Sequence, residues 1–244
     1  MTQAVSGMTP EQYIAHVARV SNPSNNMNHA TAPKLLAYLV REGHWSPLDM
    51  VDVTVKVETS RAIAAQGLRH WSFRFQEFSQ RYATVDDIDF SHVEMRIAAE
   101  GGNRQGSGVV DEGCTEAAKD ACYAALQYYR ELLCLGVAPE SARMVLPLAT
   151  PTTLYFKGSI RSWMTYFWQR CSPHSQKEHR ELATKILDLF RKDFPIIVDM
   201  VENYISAVVP RESAKILADL QKENASLRET IKAFEDVVVK IIEE

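Results

Sequence analysis

VDVTVKVE, residues 51–58, alternates strictly between valine and a polar or charged side chain. A period of two places the valines on one face of an extended strand and Asp52, Thr54, Lys56 and Glu58 on the other face. A second β-rich stretch, TPTTLYFKGS, occupies residues 150–159. The segments around these strands have helical periodicity and do not alternate regularly with strands. We therefore predict an α+β fold in which helices pack around a small sheet.

The predicted helices carry recognisable start and stop signals. Thr9 and Ser60 can cap helices, and Pro10 suits the first helical position. Gly43 and Gly136 accept the left-handed conformation that often follows a helix. The predicted helices cover residues 9–21, 33–42, 60–68 and 112–135, a short segment from Pro139, and three segments over roughly 160–210.

The chain changes character beyond Pro210, where a heptad pattern begins. The a positions are Leu217, Asn224, Ile231 and Val238, and the d positions are Leu220, Leu227, Phe234 and Ile241. A single polar residue at an a position, here Asn224, favours a two-stranded coiled coil in one register. We predict a domain over residues 1–210 and a self-associating heptad helix over residues 211–244. The alternative is an amphipathic helix that folds back on its own domain.

The composition is that of a globular protein, with 46% hydrophobic and 24% charged residues, which excludes disordered and collagen-like classes. The net charge is -4, from 27 basic and 31 acidic residues, so the chain is not a polycation that wraps nucleic acid. No apolar stretch approaches the roughly 20 residues that span a bilayer, and the first residues do not resemble a signal peptide. We expect a cytoplasmic protein without a membrane partner.

The cysteine spacing matches neither a zinc pair nor the dense disulfide framework of a small secreted domain. The four cysteines are Cys114, Cys122, Cys134 and Cys171. We expect free, mostly buried thiols that do not act as nucleophiles. His174 and Glu178 are spaced like two metal ligands on one helix face, but no third ligand accompanies them, so no metal site is expected.

Charged and aromatic side chains are densest in RHWSFRFQEFSQRY, residues 69–82. Guanidinium groups bind phosphate oxygens bidentately, and aromatic faces stack on planar heterocycles, so this composition suits a nucleotide ligand. The alternative is an amphipathic β-rich segment in which Phe73 and Phe75 pack inward while the arginines are solvated. Composition alone does not favour either interpretation.

The same segment resembles the signature of the flavin-dependent thymidylate synthases, which reads Arg-His-Arg, seven residues, then Ser. Arg69, His70 and Ser79 fit this pattern, and Glu77, Arg81 and Tyr82 extend the match. The resemblance continues in four further stretches of the chain. These are GHWSPLDM (43–50), NRQGSG (103–108), ARMVLP (142–147) and SIRSWMTYFWQRCSPHSQKEHRELA (159–183). The chain is identified as a member of this family, with the 211–244 tail outside the usual extent of the family.

The resemblance implies a methyl transfer coupled to reduction. Deoxyuridine monophosphate (dUMP) becomes thymidine monophosphate (dTMP), with methylenetetrahydrofolate as the carbon donor and NADPH as the reductant, through a bound FAD. The family is homotetrameric, and each flavin is held by more than one subunit. No cysteine attacks the pyrimidine.

The resemblance also implies roles for individual residues. Arg170 corresponds to the catalytic arginine that polarises the uracil ring, since a fixed guanidinium stabilises negative charge that develops on the ring. The implied dUMP ligands are Gln66, Arg69, Glu77, Ser79, Gln80, Arg81, Arg143 and Arg170. The implied FAD ligands are His44, Ser46, Arg69, His70, Trp71, Glu77, Ser159, Arg161 and Thr165. We expect Arg143, Arg170 and Ser79 to converge on one pocket.

The sequence departs from the family pattern at several of these positions. Trp71 stands where the signature has its second arginine, and Ser159 and Thr165 replace asparagines seen in some members. Our hypothesis is that Arg74 restores the lost charge while Trp71 stacks on a planar part of FAD or folate. Two alternatives to a synthase stay open: a catalytically impaired regulator that binds flavin or nucleotide, and a coiled-coil-assembled protein that binds single-stranded nucleic acid by stacking.

Overall fold

The structure is a computed structural model that describes residues 7–83, 88–98 and 107–207. The chain divides into two compact units, Met1–Asp199 and Met200–Glu244. All strands and labelled helices given below belong to the first unit, and the described part of the second unit, residues 200–207, is helical. The predicted heptad helix and most of the NRQGSG stretch (103–108) lie outside the described residues.

The main sheet has three antiparallel strands in the order β1-β5-β2. These are β1 (Asp52–Ser60), β2 (Arg74–Glu77) and β5 (Pro151–Ser159). Asp52 pairs with Ser159 at one end of the sheet, and Ser60 pairs with Pro151 at the other end. A separate two-stranded sheet is formed by β3 (Arg96–Ala98) and β4 (Ser107–Val110). The predicted strand alternation is confirmed in β1, whose polar positions 52–58 are exposed while the intervening valines are partly or fully buried.

The helices begin and end close to the predicted positions. They are α1 (Pro10–Ala18), α2 (Ala32–Arg41), α3 (Arg61–Gly67), α4 (Glu112–Cys134), α5 (Pro139–Ala142), α6 (Ile160–Arg170) and α7 (Lys177–Phe190). Short 3-10 helices cover Pro23–Asn25, His29–Thr31, Ser46–Met50 and Arg143–Val145. Thr9 and Gln12 form a reciprocal capping box at α1, and the Ser60 hydroxyl accepts from the Ile63 backbone at the start of α3. The mixed fold of helices around a small sheet is therefore the one predicted.

An aromatic core joins the sheet to α6. Phe73, Phe156, Trp163, Tyr166 and Phe167 are all at most 3% exposed. The Phe73 and Trp163 ring centroids lie 4.8 Å apart in an edge-to-face arrangement. This packing needs a glycine in β5, because a Cβ at position 158 would lie 2.8 Å from the Phe73 ring. Gly158 therefore allows β5 to pack directly against the Phe73 ring.

The cysteines are free, as predicted, but the expectation that most of them are buried is wrong. Of the four, only Cys122 is buried, whereas Cys114 and Cys134 are exposed and Cys171 is intermediate. The buried positions of α4 follow one helical stripe that contains Cys122 and leaves out Cys114 and Cys134. Among the described residues, no helix has the length and apolar character needed to cross a membrane.

Candidate active site

A cavity of about 1060 Å³ opens at the end of the main sheet where Asp52 pairs with Ser159. Its walls are formed by the turn after α3, by one end of β1 and of β5, and by one face of α6. Seven of the predicted site residues line it: Arg69, His70, Trp71, Ser159, Arg161, Thr165 and Arg170. The fold thus gathers residues that are far apart in the sequence.

The start of α6 forms one wall of the cavity. Ser159 caps this helix by accepting from the Ser162 backbone N–H at 3.3 Å. The first turn of a helix offers free backbone N–H groups and a positive dipole end, which together favour an anion. The Ser159 hydroxyl also donates to Oδ1 of Asp49 at 2.7 Å, and Arg161 Nη1 donates to Oδ2 of the same carboxylate at 3.2 Å. Asp49 therefore fixes two of the predicted flavin ligands.

Aromatic surfaces border the same wall. The Arg161 guanidinium lies 5.4 Å from the centre of the Trp45 ring, within the range of a cation–π contact. Trp45 in turn packs on Trp168 at 5.6 Å between ring centroids. Trp71 lines the cavity with 89% of its surface exposed, so its face is open to a ligand. The cavity combines flat apolar faces with guanidinium groups.

One hydrogen bond at the cavity joins Arg170 to His70. Arg170 Nε donates to His70 Nε2 at 2.9 Å. Because Arg170 Nε carries a proton, His70 Nε2 must be the acceptor, and His70 is neutral with its proton on Nδ1. Burial, and to a smaller degree the Arg170 charge, lower the pKa of His70 to about 4. The arrangement holds one guanidinium in place by its Nε and leaves its terminal nitrogens as further donors.

Glu77 and Gln80 lie in a second group, at the opposite end of the sheet. Thr152 Oγ1 donates to Glu77 Oε1 at 3.0 Å, and Arg61 Nη1 lies 3.9 Å from the same oxygen. Arg61 Nη1 also donates to Gln80 Oε1 at 3.1 Å. Gln80 is 2% exposed, so in this chain its side chain is shielded from a ligand.

Three further predicted dUMP ligands, Ser79, Arg81 and Arg143, are counted with this second group, because Ser79 and Arg81 flank Gln80 in the chain. Arg81 Nη2 forms an ion pair with Glu140 Oε2 at 3.2 Å, and Arg143 Nε donates to the Glu140 backbone oxygen at 3.2 Å. The Ser79 backbone oxygen accepts from the Tyr82 backbone N–H at 3.2 Å in the turn that follows β2. Glu140 thus brings Arg81 and Arg143 to one place, although they are distant in the sequence.

The expected convergence of Arg143, Arg170 and Ser79 on one pocket is not found within a single chain. Arg170 belongs to the cavity, whereas Arg143 and Ser79 are absent from its lining. The cause is the length of β5. Thr152, which contacts Glu77, and Gly158, which lines the cavity, are separated by about 20 Å along an extended strand.

Three other predicted residues do not line the cavity. His44 and Ser46 are exposed, and His44 packs against the Tyr38 ring at 5.9 Å. Trp45, between them, lines the cavity instead. Gln66 is partly buried at the end of α3 and is hydrogen-bonded to His179 and Gln176.

Sequence reasoning missed several polar residues of the two groups. Asp49, Asp52 and Lys157 line the cavity, and Arg61 holds both Glu77 and Gln80. Lys157 and Asp52 form an ion pair at 2.8 Å across β5 and β1. One signal was available for Asp49, because it lies in the GHWSPLDM stretch that carries the resemblance.

Comparisons with known proteins identify the family of this chain. A family model described as "Thymidylate synthase complementing protein" matches residues 4–196. A flavin-dependent thymidylate synthase of a Synechocystis species is 43% identical over 200 residues, which cover 80% of this chain and 91% of that protein. A probable flavin-dependent thymidylate synthase of Paramecium bursaria Chlorella virus 1 is 41% identical over 198 residues, with the same coverage.

A solved structure is also similar. It is the crystal structure of a UMP/dUMP methylase, PolB from Streptomyces cacaoi, bound with 5-Br dUMP. The TM-score is 0.69 at 25% sequence identity, and the match covers 80% of this chain and 91% of that chain. From the fold, the family match and these relatives together, the chain belongs to the family of flavin-dependent thymidylate synthases, as the resemblance of its signature predicted.

Proposed function

We propose that this chain is a flavin-dependent thymidylate synthase that makes dTMP from dUMP. Methylenetetrahydrofolate would donate the carbon and NADPH the electrons, through FAD. In the net reaction the uracil C5–H bond breaks and releases a proton, C5 gains the methylene carbon, and a hydride completes the methyl group. The observation that carries the proposal is the cavity that gathers seven signature and family positions in a member of this family. The proposed location is the cytoplasm.

The residues of the cavity fit FAD by their chemistry. A dinucleotide needs cationic or N–H donors for two phosphates and flat apolar faces for its rings. Arg69, Arg74 and the first turn of α6 supply the donors, and Trp45 and Trp71 supply the faces. The volume of about 1060 Å³ is at the upper end of the range for ligand sites. When bound, FAD would supply the hydride.

Arg170 is proposed to act on the uracil ring by electrostatics. A guanidinium fixed through Nε by His70 can direct its terminal N–H groups at a ring oxygen without reorganisation. Burial lowers the pKa of Arg170, yet an arginine side chain keeps its charge in proteins. Because His70 is neutral and accepts from Arg170, its role is to position that guanidinium and not to supply a proton from Nε2.

The two separated groups support a homotetramer in which different subunits complete each site. The Arg170 side of one subunit would face Ser79, Arg81 and Arg143 of another. Exposed apolar side chains surround the second group, as expected for a surface that another subunit covers. They include Phe78, Tyr82, Met144 and Leu148, which are 42–87% exposed.

Complementation between inactive variants tests this composite site. Arg170→Ala and Arg81→Ala should each be inactive alone. Mixed and reassembled in equal amounts, they should regain about one quarter of the wild-type sites, because each site then draws its halves from random subunits. Arg81→Ala mixed with Arg143→Ala should not recover, since both changes affect the same half. Equal recovery in both mixtures, or none in either, contradicts the composite site.

The activity itself is tested on the purified full chain. We expect a yellow protein whose flavin absorbance bleaches on anaerobic addition of NADPH. With methylenetetrahydrofolate, the protein should release tritium from dUMP labelled at C5. A yellow protein that does not release tritium is the regulator, and a colourless protein that copurifies with nucleic acid is the single-strand binder.

A further inference from the structure

A hydrogen-bonded chain of side chains runs from the buried core to Gln66. The Tyr166 hydroxyl lies 3.2 Å from His179 Nε2, and His179 Nδ1 lies 3.1 Å from Gln66 Oε1. Gln66 Nε2 then donates to Gln176 Oε1 at 2.7 Å. Tyr166 and His179 are both 0% exposed, so water does not compete for the contact between them. Both ends of the Gln66 amide are therefore held.

The direction of these hydrogen bonds is set by the Gln66 amide. Because Gln66 Nε2 is the atom that donates to Gln176 Oε1, Gln66 Oε1 is the atom that faces His179 Nδ1. A carboxamide oxygen only accepts, so Gln66 donates to Gln176 and accepts from His179.

The direction of the hydrogen bond to Gln66 also fixes the tautomer of His179. Burial, with smaller contributions from the charges of Arg170 and His70, lowers the pKa of His179 to about 3. A neutral imidazole has one donor and one acceptor nitrogen. Since Gln66 Oε1 accepts, Nδ1 carries the proton and Nε2 accepts from the Tyr166 hydroxyl. Each of the four hydrogen-bonded side chains therefore has one orientation.

We propose that His179 and Gln176 are positioning residues that hold the Gln66 amide in one orientation and so make the nucleotide site select uracil over cytosine. The oxygen of the amide has a second lone pair and the nitrogen a second N–H, and Gln66 is partly exposed, so both stay available to a ligand. Uracil offers an N3–H donor beside an O4 acceptor, which pairs with this orientation. Cytosine offers an acceptor beside an amino group, which pairs only with the flipped amide.

The inference rests on the proposed function, because it takes Gln66 as a contact of the dUMP ring. Gln66 precedes Arg69 and His70 by one helical turn at the end of α3, which places it beside the residues that hold Arg170. A free amide could flip and accept either base. A site with locked polar groups rejects the wrong pattern because a buried donor or acceptor is left unpaired.

The test is the ratio of dUMP to dCMP affinity, measured by calorimetry on the full chain as purified. His179→Leu should lower this preference about tenfold, and Gln176→Ala should lower it severalfold. Thr184→Val, an exposed change on the same helix α7, is the matched control and should keep the wild-type ratio. Gln66→Ala should weaken dUMP binding itself.

The outcomes separate the inference from the proposed function. If Gln66→Ala weakens dUMP binding but His179→Leu and Gln176→Ala lower both affinities equally, the two residues are only structural and the inference is overturned. If Gln66→Ala leaves dUMP binding unchanged, the placement of Gln66 in the nucleotide site is wrong, and that part of the proposed function is wrong with it. If His179→Leu does not fold, the exposed Gln176→Ala variant decides alone.

Discussion

Arg170 donates from Nε to Nε2 of His70 across 2.9 Å, although the two residues are 100 positions apart in the sequence. One residue ends α6 and the other follows α3, and both border the same cavity. The bond fixes the tautomer of His70 and the direction of the guanidinium at once. The bond therefore places two of the predicted site residues in one arrangement, which substitutions can test.

Arg170→Lys should lower the turnover rate by about 100-fold, because lysine keeps the charge but loses the Nε bond to His70 and the planar fork. Tritium release from C5-labelled dUMP measures this rate. Arg41→Lys is the matched control, since Arg41 is an exposed arginine paired with Glu42 at 2.8 Å. A rate for Arg170→Lys equal to that of the control would show that the geometry of Arg170 is not needed.

Asp49→Asn should weaken flavin binding about tenfold, because the change removes the charge that holds Arg161 and Ser159 at the start of α6. Flavin titration of the stripped protein measures this affinity. Asp52→Asn tests a second cavity carboxylate, whose partner is Lys157, and should have a smaller effect. A larger loss for Asp52→Asn would reverse our assignment of the residue that supports the flavin ligands.

Trp71 and Arg74 should behave as a coupled pair in flavin binding. Both line the cavity, and Arg74 Nη1 donates to the Phe73 backbone oxygen at 3.1 Å. Arg74→Ser should weaken binding about tenfold, and adding Trp71→Arg should recover most of this loss. Titration of the single variants and the double variant completes the cycle. Strictly additive effects would reject the idea that Arg74 replaces the missing signature arginine.

The buried His179 should make the fold sensitive to acid. Its pKa is about 3 in the folded chain and ordinary in the unfolded chain, so the unfolded state takes up a proton first as the pH falls. The contribution of neutral His179 to stability is fully present above the unfolded pKa of about 6.5 and is lost progressively as the pH falls below it. Between pH 7 and pH 5 this one group should cost about 2 kcal/mol in free energy of unfolding.

Urea unfolding at both pH values measures this difference. His179→Leu should lose about 2 kcal/mol less than wild type over that interval, whatever its stability at pH 7. Thr184→Val should follow the wild-type dependence. If all three proteins lose the same free energy, His179 does not carry the acid sensitivity.

A chain that ends at Pro210 should form a smaller assembly than the full chain, because the heptad seam predicted for residues 211–244 favours self-association. Sedimentation velocity of the two chains at equal concentration measures the difference. An unchanged sedimentation coefficient after correction for mass would show that the tail is not the main oligomer contact.

The sequence alone determined the parts of the protein that depend on neighbours along the chain. The strand periodicity at residues 51–58 and the helix caps Thr9 and Ser60 depend only on residues a few positions apart. They could therefore be predicted directly from the sequence. The signature around Arg69 and Ser79 likewise identified the family, because its spacing is local. These features led to the correct fold class and to the residues worth searching for.

Only the tertiary structure decided how those residues are grouped. The register of β5 between β1 and β2 carries Ser159 to one end of the sheet and Glu77 to the other, which divides the predicted site in two. The contacts that Asp49, Arg61 and His179 make could not be predicted for the same reason. A contact between distant positions depends on how strands pair and how far an extended chain reaches, and neither quantity is encoded in any short stretch of residues.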